Sequence, residues 1–464
     1  MRLLSLLIFV SAIAPAAQDQ KPRLIVLTDI GGDPDDQQSM IRLMAWSNEF
    51  DIEALIASAS GTPGELRENV VRPDLIREIV QAYGKCRPNF VRHSPGYPTA
   101  ERLLEAVKSG DPDRSLRALG EGHDTEGSRW IISVVDRPDP RPVNVAIWGG
   151  AHELAQALWR VRADRSPADV ARFLSRLRIH SIDHQDETGP WILRNFPSLF
   201  FVLSTSNPDK SLGVPLPRDK RLSVYRGMYL GGDESLTSRE WIDTHVRFGH
   251  GPLGALYPAK TWTAPNPHSA LKEGDTPSWF YFLAHGLSDP ERPEWGGWGG
   301  RFKRARDNYF NDAEDFVDGA RDARATVWRW RPAFQNEFAA RMDWCATPDP
   351  RKANHKPAVT LNGDKSLRIV QLDARPRDRI RLSAAGSSDP DGDALNYRWF
   401  YYPEPGGASE APDLGDTTKA ELTFVAPPTQ ATAEYHIVLE VKDGGSPPLT
   451  SYRRAVIRVA GSKR

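Results

Sequence analysis

Between residues 24 and 187, short apolar runs alternate with stretches of helical spacing, and this alternation limits the fold more than any other feature. The runs at 24–27 (LIVL), 52–60 (IEALIASAS), 143–148 (VNVAIW) and 177–182 read as buried strands, with a further strand-like run starting at Asn89-Phe90-Val91. Residues 39–50, 65–83, 126–135 and 152–161 carry apolar positions at helical intervals. Strands alternating with helices give right-handed βαβ units, so the expected class is α/β with a mostly parallel sheet and flanking helices. Three of the strands run into polar or glycine-rich loops: TDIGGDPDD after the first, Gly149-Gly150 after 143–148, and DHQDE after 177–182. Ligand sites of such sheets lie outside the carboxyl ends of the strands, so these loops should face one crevice.

The first loop carries Asp29, Asp33, Asp35 and Asp36 within eight residues. Like charges at this spacing disfavour joint ionisation unless a cation offsets them. Oxygen-only donors on a loop containing glycine suit a hard cation, and Ca²⁺ accepts several carboxylates in flexible geometry. A solvated turn is the plainer alternative, since Asp, Gly and Pro are ordinary turn residues. The position of the loop, between a buried strand and a helix, favours the metal site.

Composition narrows the function. A formal net charge of -1 lacks the electrostatic footprint of a nucleic-acid binder. Residues 1–18 have one Arg, an apolar stretch and small residues near Ala17, the pattern of a signal peptide, and no later run reaches membrane-spanning length. An exported protein is expected, secreted or periplasmic, with its oligomeric state left open. The two cysteines, Cys86 and Cys345, can pair in an oxidising compartment but are too few for a disulfide scaffold. No Cys/His spacing matches a zinc site. Fourteen tryptophans include Trp295 and Trp298 in PEWGGWGG, where they can form a flat sugar-stacking platform or pack beneath the loop.

At 464 residues the chain accommodates two or three domains. Residues 301–344 read as charged and helical, closing a first domain of 22–345. Residues 346–357 read as a linker. From 358 to 464, seven short alternating runs separated by turn signals match an immunoglobulin-like β-sandwich. Within it, SSDPDGDAL reads as a polar turn in preference to a second calcium site.

TDIGGDPDD, NVAIWGGAHELAQAL and GDTPSWFYFL resemble nucleoside hydrolases. YGKCRPNFVRHSPGYPTAE, GHDTEGSRWI, DHQDETGPWILRNFP, GHGPLGALYP, PEWGGWGGRF and FAARMDWC resemble a secreted, nucleoside-hydrolase-like branch described as cellulose-binding, with a C-terminal sandwich domain. The resemblance runs from about residue 23 to the C-terminus and implies the site residues one by one. Thr28-Asp29 matches the pair at the end of the first strand, and Asp35-Asp36 matches the later acidic doublet, with two extra residues between them. Asp29 then corresponds to the residue that contacts the metal and activates water, and Asp36 to a Ca²⁺ ligand. Asp33 lies in the insertion and has no counterpart. Trp148 stands where the family supplies a backbone carbonyl to the metal. Asp275 matches a late metal-binding Asp, but Gly274 replaces the His before it that serves the leaving group.

The resemblance implies Ca²⁺ held by Asp29, Asp36, Trp148 and Asp275, with Asp29 catalytic. Acid assistance and substrate contacts could come from Asp186, Glu187, His184 or Glu126, with Trp295 and Trp298 as sugar contacts. The leading expectation is a calcium-dependent hydrolase of glycosidic bonds in a carbohydrate or glycoside. The competing one is a non-catalytic carbohydrate-binding protein that keeps the fold. A phosphatase using Asp-x-Asp fits poorly, because Gly31 stands where the second Asp would be.

Overall fold

The computed structural model describes residues 20–59, 70–205, 222–259, 270–408 and 410–461, so the expected signal peptide lies outside the described residues. Its first part runs β1 (Arg23–Thr28), α1 (Asp35–Ala45), β2 (Asp51–Ala57), α2 (Pro73–His93), α3 (Ala100–Ala106), β3 (Val107–Ser109), α4 (Glu126–Asp136), β4 (Val143–Ile147), α5 (His152–Asp164), α6 (Pro167–Ser175), β5 (Leu177–Ile182), α7 (Thr188–Asn195) and β6 (Phe200–Ser204). Short helices α8 (Arg239–Ile242), α9 (Gly251–Ala255) and α10 (Thr276–Phe280) follow. Next come β7 (Phe302–Arg306), β8 (Tyr309–Asp312), β9 (Asp315–Val317), β10 (Ala320–Asp322), α11 (Ala325–Trp328) and α12 (Arg331–Ala346).

Among the described residues the main sheet has eight strands in the order β3-β2-β1-β4-β5-β6-β8-β7, parallel except for β7. Its central strand β1 is buried along its length because helices cover both faces. Leu24 and Val26 join one core with Met40 and Leu43 of α1 and Phe334 of α12. Ile25 and Leu27 join the other with Ile131 of α4, Leu154 of α5 and Ile192 of α7. Strand order reverses between β1 and β4, which opens a crevice at their carboxyl ends.

Three sequence expectations are corrected here. Asn89, Phe90 and Val91 continue α2 past Pro88, where Phe90 stacks on Tyr97, 4.8 Å between ring centres. Residues 302–322 form four short strands, not helix, and most of their charged side chains stand at exposed or half-buried positions. The helix expected over 39–50 ends at Ala45 and continues as a 3₁₀ turn, Ser47–Glu49.

The C-terminal part has β11 (Val370–Ala374), β12 (Arg379–Ser383), β13 (Asn396–Tyr402), β14 (Glu421–Val425), β15 (Ala433–Lys442) and β16 (Thr450–Val459). They form a four-stranded sheet, β11-β16-β15-β13, and a β12-β14 pair. Leu382 and Phe424 of the pair share a core with Trp399, Ile437 and Ile457 of the larger sheet. The run at 358–363 makes only isolated bridges. In the 389–393 turn, Asp389 Oδ1 accepts from the backbone N–H groups of Asp391 and Asp393, at 2.8 and 3.2 Å.

The outer face of the larger sheet packs on the first part. Tyr402, Val438 and Tyr452 belong to the same core as Trp298, Trp330 and Phe334. Arg454 donates to the Trp295 carbonyl at 2.7 Å, and Asp315 accepts from Tyr402, Arg301 and Arg329, each at 2.7 Å.

Cys86 of α2 and Cys345 of α12 are buried free thiols, and Cys345 Sγ donates to the His250 carbonyl at 3.2 Å. A Cβ added at Gly251 would lie 3.3 Å from the Cys86 sulfur and 3.2 Å from the Cys345 sulfur, so both line one small space. In an oxidising thiol buffer the pair is expected to close to a disulfide, the electrons passing to the oxidised buffer thiol. Mass spectrometry of the alkylated, denatured chain should show no free thiol, and the urea midpoint should rise by an increment worth up to about 5 kcal/mol. Two alkylated cysteines after such treatment would refute the pairing.

Candidate functional site

β1 delivers Thr28 and Asp29 to the crevice, and the following turn starts α1 at Asp35. Asp35 and Asp36 occupy the first helical turn, where the macrodipole favours carboxylates. Thr28 Oγ1 donates to Asp36 Oδ1 and accepts from the Ile30 N–H at 3.2 Å, which fixes the doublet against the strand end. Asp275 opens α10 on the far side of the crevice, its carbonyl accepting from Ser278 Oγ at 2.6 Å. One carboxylate oxygen each from Asp35, Asp36 and Asp275 lie within 4.8 Å of one another. Burial, with the nearby charges of Asp275, Asp29 and Asp35, pushes the Asp36 carboxyl well above the usual carboxylate range. Such a group ionises readily only with a cation beside it, and three oxygen donors suit a divalent cation of the calcium type.

Asp29 is buried against Gly149; a Cβ at that glycine would stand 2.5 Å from Asp29 Cγ. Among the described residues the three carboxylates that converge include Asp35 and not Asp29, whose charge nevertheless acts on Asp36. Trp148 is buried beside Asp29, with Nε1 donating to Ser278 Oγ at 2.9 Å, and its carbonyl accepts from the Gln185 side-chain amide. A carbonyl has a second lone pair, so that contact still allows a cation.

The inserted Asp33 pairs with Lys272, whose ammonium also lies 3.3 Å from Asp35, so the insertion borders the cluster. Burial opposes the ammonium, but the charges of Asp35 and Asp33 raise its pKa and hold it protonated. Lys272 has no signal in sequence beyond its position three residues before Asp275. Gly274 leaves room for a neighbour: a Cβ there would lie 3.3 Å from the Tyr225 ring and 3.5 Å from Asp35 Oδ2. Tyr225, with the Arg226 guanidinium 5.3 Å from its ring centre, stands beside the position that the missing His would occupy.

Among the other candidates, Asp186 belongs to the crevice. It sits on Gly150, where a Cβ would be 2.4 Å from its Oδ2, and its Oδ1 accepts from Thr188 Oγ1 at 2.6 Å. Among the described residues its Oδ2 is buried without a hydrogen-bond partner, and burial raises its pKa. Behind it, His152 and Glu153 open α5, both almost fully buried. Their signal in sequence is a polar pair directly after the glycines that end β4.

Burial pushes the Glu153 carboxyl up to about 8 from an ordinary 4.5. The folded chain therefore keeps a proton that the unfolded chain releases. That stabilisation is full below the ordinary value and is lost as pH rises through the folded one. Melting temperature is expected to fall between about pH 5 and about pH 8, and Glu153→Gln to flatten the fall. An unchanged slope in the variant would remove Glu153 as its source.

The remaining candidates lie elsewhere. Glu187 is exposed at the start of α7, and His184 lies against Gly189. Glu126 pairs with Lys108 at 3.2 Å and accepts from the Ser109 N–H, beside the edge strand β3. Trp295 and Trp298 are 5% and 1% exposed, packed on His436 and Tyr452 of the C-terminal sheet. The expectation of a flat platform is thereby corrected: glycines around these rings let the second sheet close over them.

A family model described as "Cellulose-binding Sde182, nucleoside hydrolase-like domain" matches residues 23–302. A second, "Cellulose-binding protein Sde0182, C-terminal domain", matches residues 379–459. The chain is similar to a solved nucleoside hydrolase-related hypothetical protein from Saccharophagus degradans, described as associated with carbohydrate metabolism. The two share 33% identity with a TM-score of 0.79, covering 95% of this chain and 100% of that one. A solved PKD domain from the KIAA 1837 protein shares 18% identity over 21% of this chain and 85% of its own, and its TM-score of 0.16 carries no argument. The curated proteins give no match. With 33% identity across the full length of a solved relative and both family models in order, the chain belongs to the Sde182 family, which joins a nucleoside hydrolase-like domain to a distinct C-terminal domain.

Proposed function

We propose that the chain is an exported, calcium-dependent hydrolase of glycosidic bonds in a carbohydrate or glycoside. The observation that carries this reading is the convergence of Asp35, Asp36 and Asp275 at the strand-order reversal. These three, with the Trp148 carbonyl, would hold Ca²⁺, which supplies Lewis-acid contact to sugar hydroxyls and water. Asp29, held by Gly149, takes a proton from the attacking water. The water oxygen bonds to the anomeric carbon as the glycosidic C–O bond breaks. Asp186, its pKa raised by burial, gives a proton to the leaving oxygen. A leaving oxygen fits better than a nucleobase, because Gly274 and Tyr225 stand in place of the His that serves a base.

The export signal at 1–18, the nucleoside-hydrolase-like domain at 22–345, the linker at 346–357 and an immunoglobulin-like sandwich at 358–464 belong to the same proposal. The sandwich is supported by two sheets closing one core. A non-catalytic carbohydrate-binding role is the second reading, favoured by Gly274 and by the description of the family models as cellulose-binding.

The test is product release from arabinofuranosides, ribosides and plant polysaccharides, with calcium and with chelator. Reducing sugar that appears only with calcium and is lost in Asp29→Asn supports the hydrolase. Retention on cellulose with no product from any substrate would overturn it in favour of the binder.

A further inference from the structure

Lys272 brings a positive charge of the chain's own to the edge of the carboxylate cluster. Its ammonium pairs with Asp33 and lies 3.3 Å from Asp35 Oδ2. Asp35 is one of the three residues that converge, whereas Asp33 lies in the insertion. Among the described residues Lys272 is the only cation ion-paired with Asp29, Asp33, Asp35, Asp36 or Asp275. Arg42, which faces the same segment, is answered by Glu273.

The ammonium is held in place. The Lys272 backbone N–H donates to Gln38 Oε1 of α1 at 2.9 Å, and its side chain is 12% exposed. Asp33 is 1% exposed, so this pair is shielded from the water and salt that weaken surface ion pairs.

A divalent cation and this ammonium would share Asp35. In the metal-free chain the ammonium offsets the charges of Asp33 and Asp35, which otherwise disfavour one another. With the divalent ion bound, two positive charges repel across one carboxylate. Even with the screening of bulk water, that repulsion is worth about tenfold in affinity. Asp33 moderates it, because an ammonium that also bonds to Asp33 is less committed to Asp35.

We propose that Lys272 is a built-in competitor for calcium, which holds the metal-free centre together and sets its affinity, and that the inserted Asp33 draws the ammonium off Asp35. The proposal rests on the calcium reading of the centre and not on turnover. It separates two roles by sign. Removing a lysine that only supports the fold lowers stability and calcium affinity together, whereas removing a competitor lowers the first and raises the second.

The experiment is calorimetric titration of the full chain with calcium chloride at low salt, paired with melting temperatures in chelator and in calcium. Lys272→Met keeps an unbranched stem and removes the charge. It should bind calcium about tenfold more tightly than the wild type, melt lower in chelator and show a larger calcium-induced rise. Asp33→Asn should bind calcium about fivefold more weakly, because the ammonium then turns to Asp35, and it carries the test if Lys272→Met does not fold. Calcium affinity unchanged or lowered in Lys272→Met, or unchanged or raised in Asp33→Asn, would overturn the proposal and leave the calcium centre standing. No calcium binding in the wild type or in either variant would overturn the centre and the proposal together. Binding in Lys272→Met alone would support the proposal as the strongest form of the competition.

Discussion

Calcium added to the chain is expected to raise its melting temperature, and Asp36→Asn is expected to remove that rise. At a hundredfold excess over the dissociation constant a native-state ligand contributes about 2.7 kcal/mol, which is several degrees for a chain of this size. Asp36 is the sharpest position to test, because it is 5% exposed and its carboxyl is held up by burial and by three neighbouring carboxylates. Ionising it in the absence of a cation is unfavourable, so the charge brings nothing to the metal-free fold. Asparagine keeps an oxygen to accept from Thr28 and removes the repulsion. The metal-free variant should therefore melt at or above the wild type while losing its calcium response. A response that survives Asp36→Asn would take this residue out of the site. A variant that melts far below the metal-free wild type would make Asp36 a structural residue.

The elements around this site are the part of the fold most legible in sequence. β5 occupies the residues expected of it, and β4 ends one residue short of expectation; β4 is legible because buried parallel strands run nearly continuous in apolar side chains, whereas β5 keeps apolar residues at only three of its six positions. The glycines after β4 carried more information than their turn propensity suggests. Gly149 is where Asp29 rests, and Gly150 is where Asp186 rests.

What stayed hidden depends on contacts between residues far apart in the chain. Nothing local tells that Asp33 meets a lysine 239 positions away. Nor does the pattern PEWGGWGG distinguish an exposed platform from a seam, since both need small residues beside the rings. The ribbons at 302–322 read as helix because short, largely exposed strands such as β7 carry no apolar alternation to mark them.

Removing Glu273 is expected to cost about 3–5 kcal/mol, the range for breaking one side of a buried ion pair. Asp35, Gln38 and Arg42 are spaced so that one face of α1 meets the segment 270–275. Gln38 accepts from the Lys272 N–H at 2.9 Å and donates to the carbonyls of Ala270 and Pro258. Arg42 pairs with Glu273, both 0% exposed, while Gln335 of α12 accepts from the same guanidinium at 2.6 Å. Tyr257 donates to Glu273 at 2.5 Å, and Thr276 donates at 3.1 Å. One helix thus carries two of the converging carboxylates at its start and, two turns on, the arginine that anchors the segment bearing the third. Glu273→Ala leaves the Arg42 charge buried and unanswered and loosens Asp275 together. The urea midpoint should fall with the stability, and the calcium-dependent melting shift should shrink in the same variant. Arg42→Met combined with Glu273→Leu removes both charges, so it should recover much of the stability. It should not recover the calcium response, because the anchor that places Asp275 is still gone. Recovery of both would show that the ion pair does not position the metal centre. A Glu273→Ala variant with an unchanged midpoint would show that Arg42 finds another partner.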